Sequence, residues 1–257
     1  MMAAGSEKPQ ALSVMRLLID NKADVNANSF KVAAPIKGVS ALMIATRNGR
    51  DSAVQLLIRH RADVNAVTNL GQTALMYAAM NAQESALRLL LEHRADVNAV
   101  DKKGETALTM ATAVTKKSQN GHASVVEALL AWRADVNHST MNGVTPVLIA
   151  SSLGHAVMLK LLLAAGGDIS KSVTSGPSHG ASAVWVAAFN GRSECLPQLL
   201  AAGCDVNACS DDGRSPVDVA TAKGHAKMVE ELLLAGATQS SVAAVAVSAG
   251  KAAQHLF

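Results

Sequence analysis

Eight histidines and three cysteines are the residues of this 257-residue chain best suited to acid–base, nucleophilic or metal chemistry. Catalysis would need a histidine held against a serine, a cysteine or a carboxylate, and a metal would need several donors at close spacing. His122, His155 and His225 each follow a glycine at the head of an apolar stretch, a place that suits a helix start. His60 and His93 occupy one equivalent place in two near-identical segments, so copying accounts for both. Cys195, Cys204 and Cys209, with His179 upstream, offer four zinc donors, but a C-x8-C-x4-C spacing matches no familiar knuckle. Cys204 stands where other segments have a small alanine and Cys195 lies on an apolar face, which reads as buried free thiols. No serine or cysteine sits in a nucleophile elbow, and no glycine loop for phosphate is present. The chain therefore reads as no enzyme, with no cofactor and no metal.

Composition bounds what remains. The chain is 49% apolar and 17% charged, which excludes a disordered polymer, and only 2% aromatic, so its core must be closely packed Ala, Val, Leu and Ile. No apolar run reaches the ~18 residues of a spanning helix, and the start MMAAGSEKPQ lacks the basic and apolar regions of a secretory signal. No membrane insertion is expected. A small odd number of cysteines suggests a reducing compartment, the cytoplasm by default or the nucleus. A net charge of +3 is too weak to imply nucleic acid, but it is unevenly spread. Residues 1–140 hold 16 Lys/Arg against 12 Asp/Glu, and residues 141–257 hold 7 against 8.

The organising feature is a repeat. The string ADVNA and its variants put an Asp at 24, 63, 96, 135, 168 and 205, and Gly-x-Thr/Ser puts a hydroxyl at 40, 73, 106, 145, 182 and 215. The hydroxyl intervals are 33, 33, 39, 37 and 33, so the period is 33 with insertions. Each unit reads as two short helices, such as Thr73–Met80 and Ser85–Leu91, split by a breaker: Asn-Gly at Asn48, Asn120 and Asn190, or Lys223-Gly224. Thr145-Pro146 and Ser215-Pro216 fix helix starts as N-cap plus first-turn proline. The polar stretch after ADVNA, ending in a glycine, is a turn or hairpin. Its Asn side chains are expected to bond across the finger backbone.

Gly143-Val144-Thr145-Pro146-Val147-Leu148, Gly154-His155, Met158–Leu163 and the Asp168 segment resemble the ankyrin repeat. The resemblance implies an all-α ankyrin-repeat solenoid, a curved stack of helix-turn-helix units with β-hairpin finger loops. The units are expected as a partial repeat at 10–35, then 36–68, 69–101, 102–140, 141–177, 178–210 and 211–243, with 244–257 as a C-terminal cap or tail. The apolar spacing of Val242–Phe257 suits a final capping helix. The family's helix-start histidine is replaced by Met43, Met76, Thr109, Leu148, Trp185 and Asp218. Its hydrogen bonds are expected to be lost everywhere except at Ser215-x-x-Asp218.

The resemblance also implies a function: binding a protein partner on the concave face made of finger tips and first helices. By position that face comprises Arg47, Leu70, Gln72, Met80, Lys102, Lys103, Glu105, Met141, Asn142, Leu153, Phe189 and Arg214. A chain permanently built into a larger assembly is the alternative, and a monomer on its own is expected. A candidate basic strip, Lys22, Arg61, Arg94 and Arg133, stands where later units have Gly166, Gly203 and Gly236. The family's glycine there serves a left-handed turn, so four units accept strain and place a cation near a helix end. An acidic partner would suit such a strip.

Overall fold

In a computed structural model the chain is described at residues 9–28, 36–114, 119–176 and 178–238. The capping helix expected at Val242–Phe257 lies outside the described residues. Two units divide the chain, residues 1–135 and 136–257. The first contains α1 (Pro9–Asp20), α2 (Ala41–Arg47), α3 (Asp51–Arg59), α4 (Ala74–Met80), α5 (Glu84–Glu92), α6 (Ala107–Thr112) and α7 (Gln119–Ala131). The second contains α8 (Pro146–Leu153), α9 (Ala156–Ala164), α10 (Ala183–Phe189), a 3-10 turn at Ser193–Cys195, α11 (Leu196–Ala201), α12 (Pro216–Lys223) and α13 (Ala226–Leu234).

The first helix of each pair is apolar nearly all round because it packs on both sides: every residue of α4 from Ala74 to Ala79 is buried. In the first unit α4 lies between α2 and α6, α5 between α3 and α7, and α1 packs against α3. In the second, α10 lies between α8 and α12, and α11 packs against α9. The second helices bury one face only. On α5 that face is Ala86, Leu87, Leu90 and Leu91. Arg88 turns outward and meets Glu84 at 2.9 Å.

Helix starts are better satisfied than the replaced histidine suggested. Ser40, Thr73 and Thr106 accept the N–H three residues on at 3.2, 3.3 and 3.2 Å. The reciprocal arm is present too. Ser40 and Thr73 N–H donate to Met43 and Met76 Sδ at 3.5 Å, and Thr106 N–H donates to Thr109 Oγ1 at 2.8 Å. Ser215 N–H donates to Asp218 Oδ2 at 3.0 Å, as expected. A thioether or hydroxyl is thus acceptor enough to close the capping box. Asn120 also departs from expectation: Asn120-Gly121 lie inside α7 rather than at a break between helices.

Finger loops close as tight turns. Thr68 N–H donates to Gln72 O at 3.0 Å and Gly71 N–H to Thr68 O at 2.9 Å, and the same pattern recurs at Asp101–Glu105, Thr140–Val144 and Ser210–Arg214. Among the described residues these hairpin-type pairs do not extend into strands; one bridge, Asn28 to Ser40, stands alone. Neighbouring fingers are tied by single backbone bonds, such as Lys102 N–H to Leu70 O at 2.9 Å and Thr174 N–H to Asn142 O at 3.1 Å. This closeness demands glycine at 143: φ is +74, and a Cβ there would lie 2.7 Å from Thr174 N.

The Asp-Val-Asn segments are structural, but the Asn reaches further than expected. The Asp makes the local bond: Asp63 Oδ1 accepts Asn65 N–H and Asp96 Oδ1 accepts Asn98 N–H, each at 2.9 Å. The Asn amide instead clamps the next repeat. Asn65 Nδ2 donates to Arg94 O at 3.2 Å and its Oδ1 accepts Asp96 N–H at 2.9 Å. Asn26 and Asn137 make the same pair of bonds one repeat on. Ser170 stands where the next Asn would, and its hydroxyl turns back to Asp168 Oδ1 at 2.6 Å. That hydroxyl holds the Asp168 carboxyl below its ordinary range.

Candidate functional site

In the first unit, α2, α4 and the fingers present Arg47, Leu70, Met80, Lys102 and Lys103 to solvent, with Leu70 and Met80 each 38% exposed. Gln72 and Glu105 are half-buried. Gln72 is occupied: its Oε1 accepts the Tyr77 hydroxyl at 3.1 Å, and burial, opposed by the Arg47 charge, pushes the Tyr77 pKa up. In the second unit Met141, 75% exposed, Asn142 and Arg214 are open, whereas Leu153 and Phe189 are half-buried.

Sequence reasoning missed a cluster in the second unit. Trp185 and Phe189 stack with centroids 5.2 Å apart on α10. The Arg214 guanidinium sits 5.8 Å over the indole, and Lys223 Nζ lies 4.4 Å from the Phe189 ring centre. Trp185 also donates Nε1–H to Arg214 O at 3.0 Å, restoring a bond between repeats where the family's histidine is absent. The W-x-x-x-F spacing, which puts both rings on one helix face, was the available signal. At the adjoining finger Arg214 pairs with Asp212, whose carboxyl is held down at about 2 by that guanidinium and the Ser210 hydroxyl. His179 pairs with Asp211 on the neighbouring finger.

Histidines at the second-helix starts do act between repeats. His122 Nε2 lies 3.3 Å from Met80 O and His225 Nε2 lies 3.1 Å from Phe189 O, each a carbonyl at the end of the preceding first helix. His93 Nδ1 instead caps its own helix at Leu89 O, 2.9 Å away.

Lys22, Arg61, Arg94 and Arg133 adopt the left-handed conformation, with φ of 63, 63, 65 and 63, and all are exposed. Ala82 shares this strain at φ 52, where another unit has Gly49. A Cβ added at Gly166, Gly203 or Gly236 would meet nothing within 4 Å, so only backbone strain opposes a side chain there. Each cation is followed two residues later by an exposed acid, Asp24, Asp63, Asp96 or Asp135. Replacing Arg61, Arg94 and Arg133 together by glycine is expected to leave stability unchanged or raise it. The strain released at each, ~1 kcal/mol, matches or exceeds the helix-end attraction lost, ~0.3–1 kcal/mol. A thermal melt lowered by the triple change would show that the side chains bind something within the fold.

The three cysteines are free thiols that differ in depth. Cys195 is buried and Cys204 half-buried, and burial raises their pKa values to about 12 and about 11. Cys209 is exposed, unlike the buried thiol expected from sequence. Raised values keep the first two protonated and unreactive at neutral pH. A thiol reagent on the native chain should label Cys209 first and Cys195 only on unfolding; rapid labelling of Cys195 would contradict this depth order. Among the described residues no group of three His, Cys, Asp or Glu is arranged to hold a metal. Among them, too, no helix is long and apolar enough to cross a membrane.

Comparison with known proteins places these geometries among relatives. A family model described as ankyrin repeats (3 copies) matches residues 1–101, 42–138, 95–173, 113–208 and 170–243. The chain is 30% identical over 153 residues to ankyrin repeat and KH domain-containing protein mask-1 of Caenorhabditis elegans, covering 48% of this chain and 6% of that protein. It is also 30% identical over 118 residues to ankyrin repeat and SOCS box protein 5 of Oryctolagus cuniculus, covering 46% of this chain and 33% of that protein. The chain thus spans only a minor part of these relatives. Among solved structures, an ankyrin repeat domain from Acinetobacter baumannii AYE matches with a TM-score of 0.66 at 26% identity, covering 77% of this chain and 98% of that one. The ankyrin repeat domain of human ASB11 matches with a TM-score of 0.72 at 23% identity, covering 90% and 94%.

Proposed function

Because this chain belongs to the ankyrin-repeat family, whose repeats are generally protein-interaction modules, we propose that it binds a protein partner on the concave face of finger loops and first helices. The observation that carries the reading is the exposure of large apolar side chains on fingers and first helices, at Leu70, Met80 and Met141. Covering them with a partner removes apolar surface from water, and methionine is enriched at interfaces. Exposed Arg47, Lys102, Lys103, Asn142 and Arg214 supply the polar rim around them. The chain acts as a scaffold without chemistry of its own, as a monomer before it meets its partner. Free thiols suit a reducing compartment, and we assign it to the cytoplasm or nucleus.

Photo-crosslinking residues placed at Leu70 and Met80 should trap the same partner in cells that express the protein. The same residues at Gln55 and Glu230, exposed on second helices, should trap none. Adducts confined to Gln55 or Glu230 would refute the reading.

A further inference from the structure

Fingers of the first unit bring cations to both sides of an apolar side chain. Lys37, Leu70 and Lys103 hold the same place in three consecutive fingers, each just before a left-handed glycine at φ 79, 80 and 74. Backbone bonds fix their order: Asn69 N–H donates to Lys37 O and Lys102 N–H to Leu70 O, both at 2.9 Å. Lys37 N–H in turn donates to Asn69 Oδ1 at 2.9 Å. Arg47, at the end of α2, acts electrostatically on Tyr77, whose hydroxyl is bonded to Gln72 of the middle finger.

The charge here is one-sided. Lys37, Arg47, Lys102 and Lys103 are all exposed, and none forms an ion pair among the described residues. The acids of these fingers are Asp101 and Glu105. Asp101 is 8% exposed, and its Oδ1 accepts Lys103 N–H at 2.8 Å and Glu105 N–H at 2.9 Å. Glu105 is half-buried. By contrast, Arg88 pairs with Glu84, Arg214 with Asp212 and Lys227 with Glu231.

We infer that this surface of the first unit docks an acidic peptide segment bearing apolar side chains. The apolar groups seat on Leu70 and Met80, and the carboxylates lie among Lys37, Arg47, Lys102 and Lys103. Charge complementarity selects the acid, because four unpaired cations face one half-buried carboxylate. Exposed apolar anchors favour a peptide over nucleic acid. Single strands stack their bases on aromatic rings, and the ring at this place, Tyr77, is 7% exposed. The inference rests on the partner-binding reading of fingers and first helices.

The test uses the full chain and three synthetic peptides of equal length with leucines spaced along them, the other positions being Glu, Ser or Lys. The Glu peptide should bind, weaken by at least about tenfold from low to high salt, and shift backbone amide resonances at 36–39, 69–72 and 102–105. Lys102→Glu with Lys103→Glu should abolish this binding while circular dichroism stays unchanged, and Arg61→Gly with Arg94→Gly should not. No binding of the Glu peptide, or equal binding of the Ser peptide at the same amides, overturns the acidic inference and leaves the wider reading to the crosslinking result. Shifts on the second helices instead would overturn both. Tighter binding of oligo-dT at the same amides would assign the surface to nucleic acid and overturn the inference.

Discussion

Replacing Trp185 by alanine is expected to destabilise the second unit by about 3–5 kcal/mol, the usual range for deleting a buried tryptophan. Trp185 is 1% exposed, the largest of the fully buried side chains, and stacks on Phe189. Its loss opens a cavity between α8, α10 and α12 and leaves the Arg214 carbonyl without the indole donor. Phenylalanine at 185 keeps most of the apolar contact but not the N–H. Trp185→Phe should therefore cost about 1–2 kcal/mol, much of it the lost hydrogen bond. The measurement is chemical denaturation followed by circular dichroism and read unit by unit, since stacked repeats need not unfold together. Equal losses from Ala and Phe would mean that the indole N–H, not the packing, carries the effect.

Replacing Asn65 by alanine is expected to cost about 1–3 kcal/mol, two hydrogen bonds at about 0.5–1.5 kcal/mol each. The amide removed bonds both the carbonyl of Arg94 and the N–H of Asp96, so the loss falls on the junction between two repeats of the first unit. The reverse change is available at Ser170, whose hydroxyl serves only its own Asp168. Ser170→Asn should stabilise the second unit by about 1 kcal/mol by supplying the amide clamp to the next repeat. Hydrogen exchange at the Asp96 and Asp205 amides would locate both effects. An Asn65→Ala chain with unchanged exchange at Asp96 would show that water replaces the clamp at no cost.

Much of this was legible because the period is local. A hydroxyl followed by an apolar run marks a helix start wherever it occurs, and Ser40, Thr73, Thr106, Thr145, Ser182 and Ser215 are all N-caps. The left-handed turns of Lys22, Arg61, Arg94 and Arg133 followed from glycine at the same place in later units, and their φ values agree. Ala82 escaped notice because nothing in its type signals a positive φ; only the glycine at the matching place in another unit does.

The sequence by itself determined the repeat, the paired helices, their caps and turns, and the family, because each is written within some thirty residues of chain. What it left open is what happens between repeats. Whether Met43 and Met76 cap as the missing histidine would, whether an Asn amide stays in its own finger or crosses to the next, and which carbonyl His225 meets depend on distances of a few ångströms. So does charge: Asp101 and Asp212 count alike in composition. One carboxylate is folded into its own turn and the other is held by Arg214. Sequence sets which groups exist, and stacking sets which of them remain unpaired, because hydrogen bonds and ion pairs need contact that only the packed repeats supply.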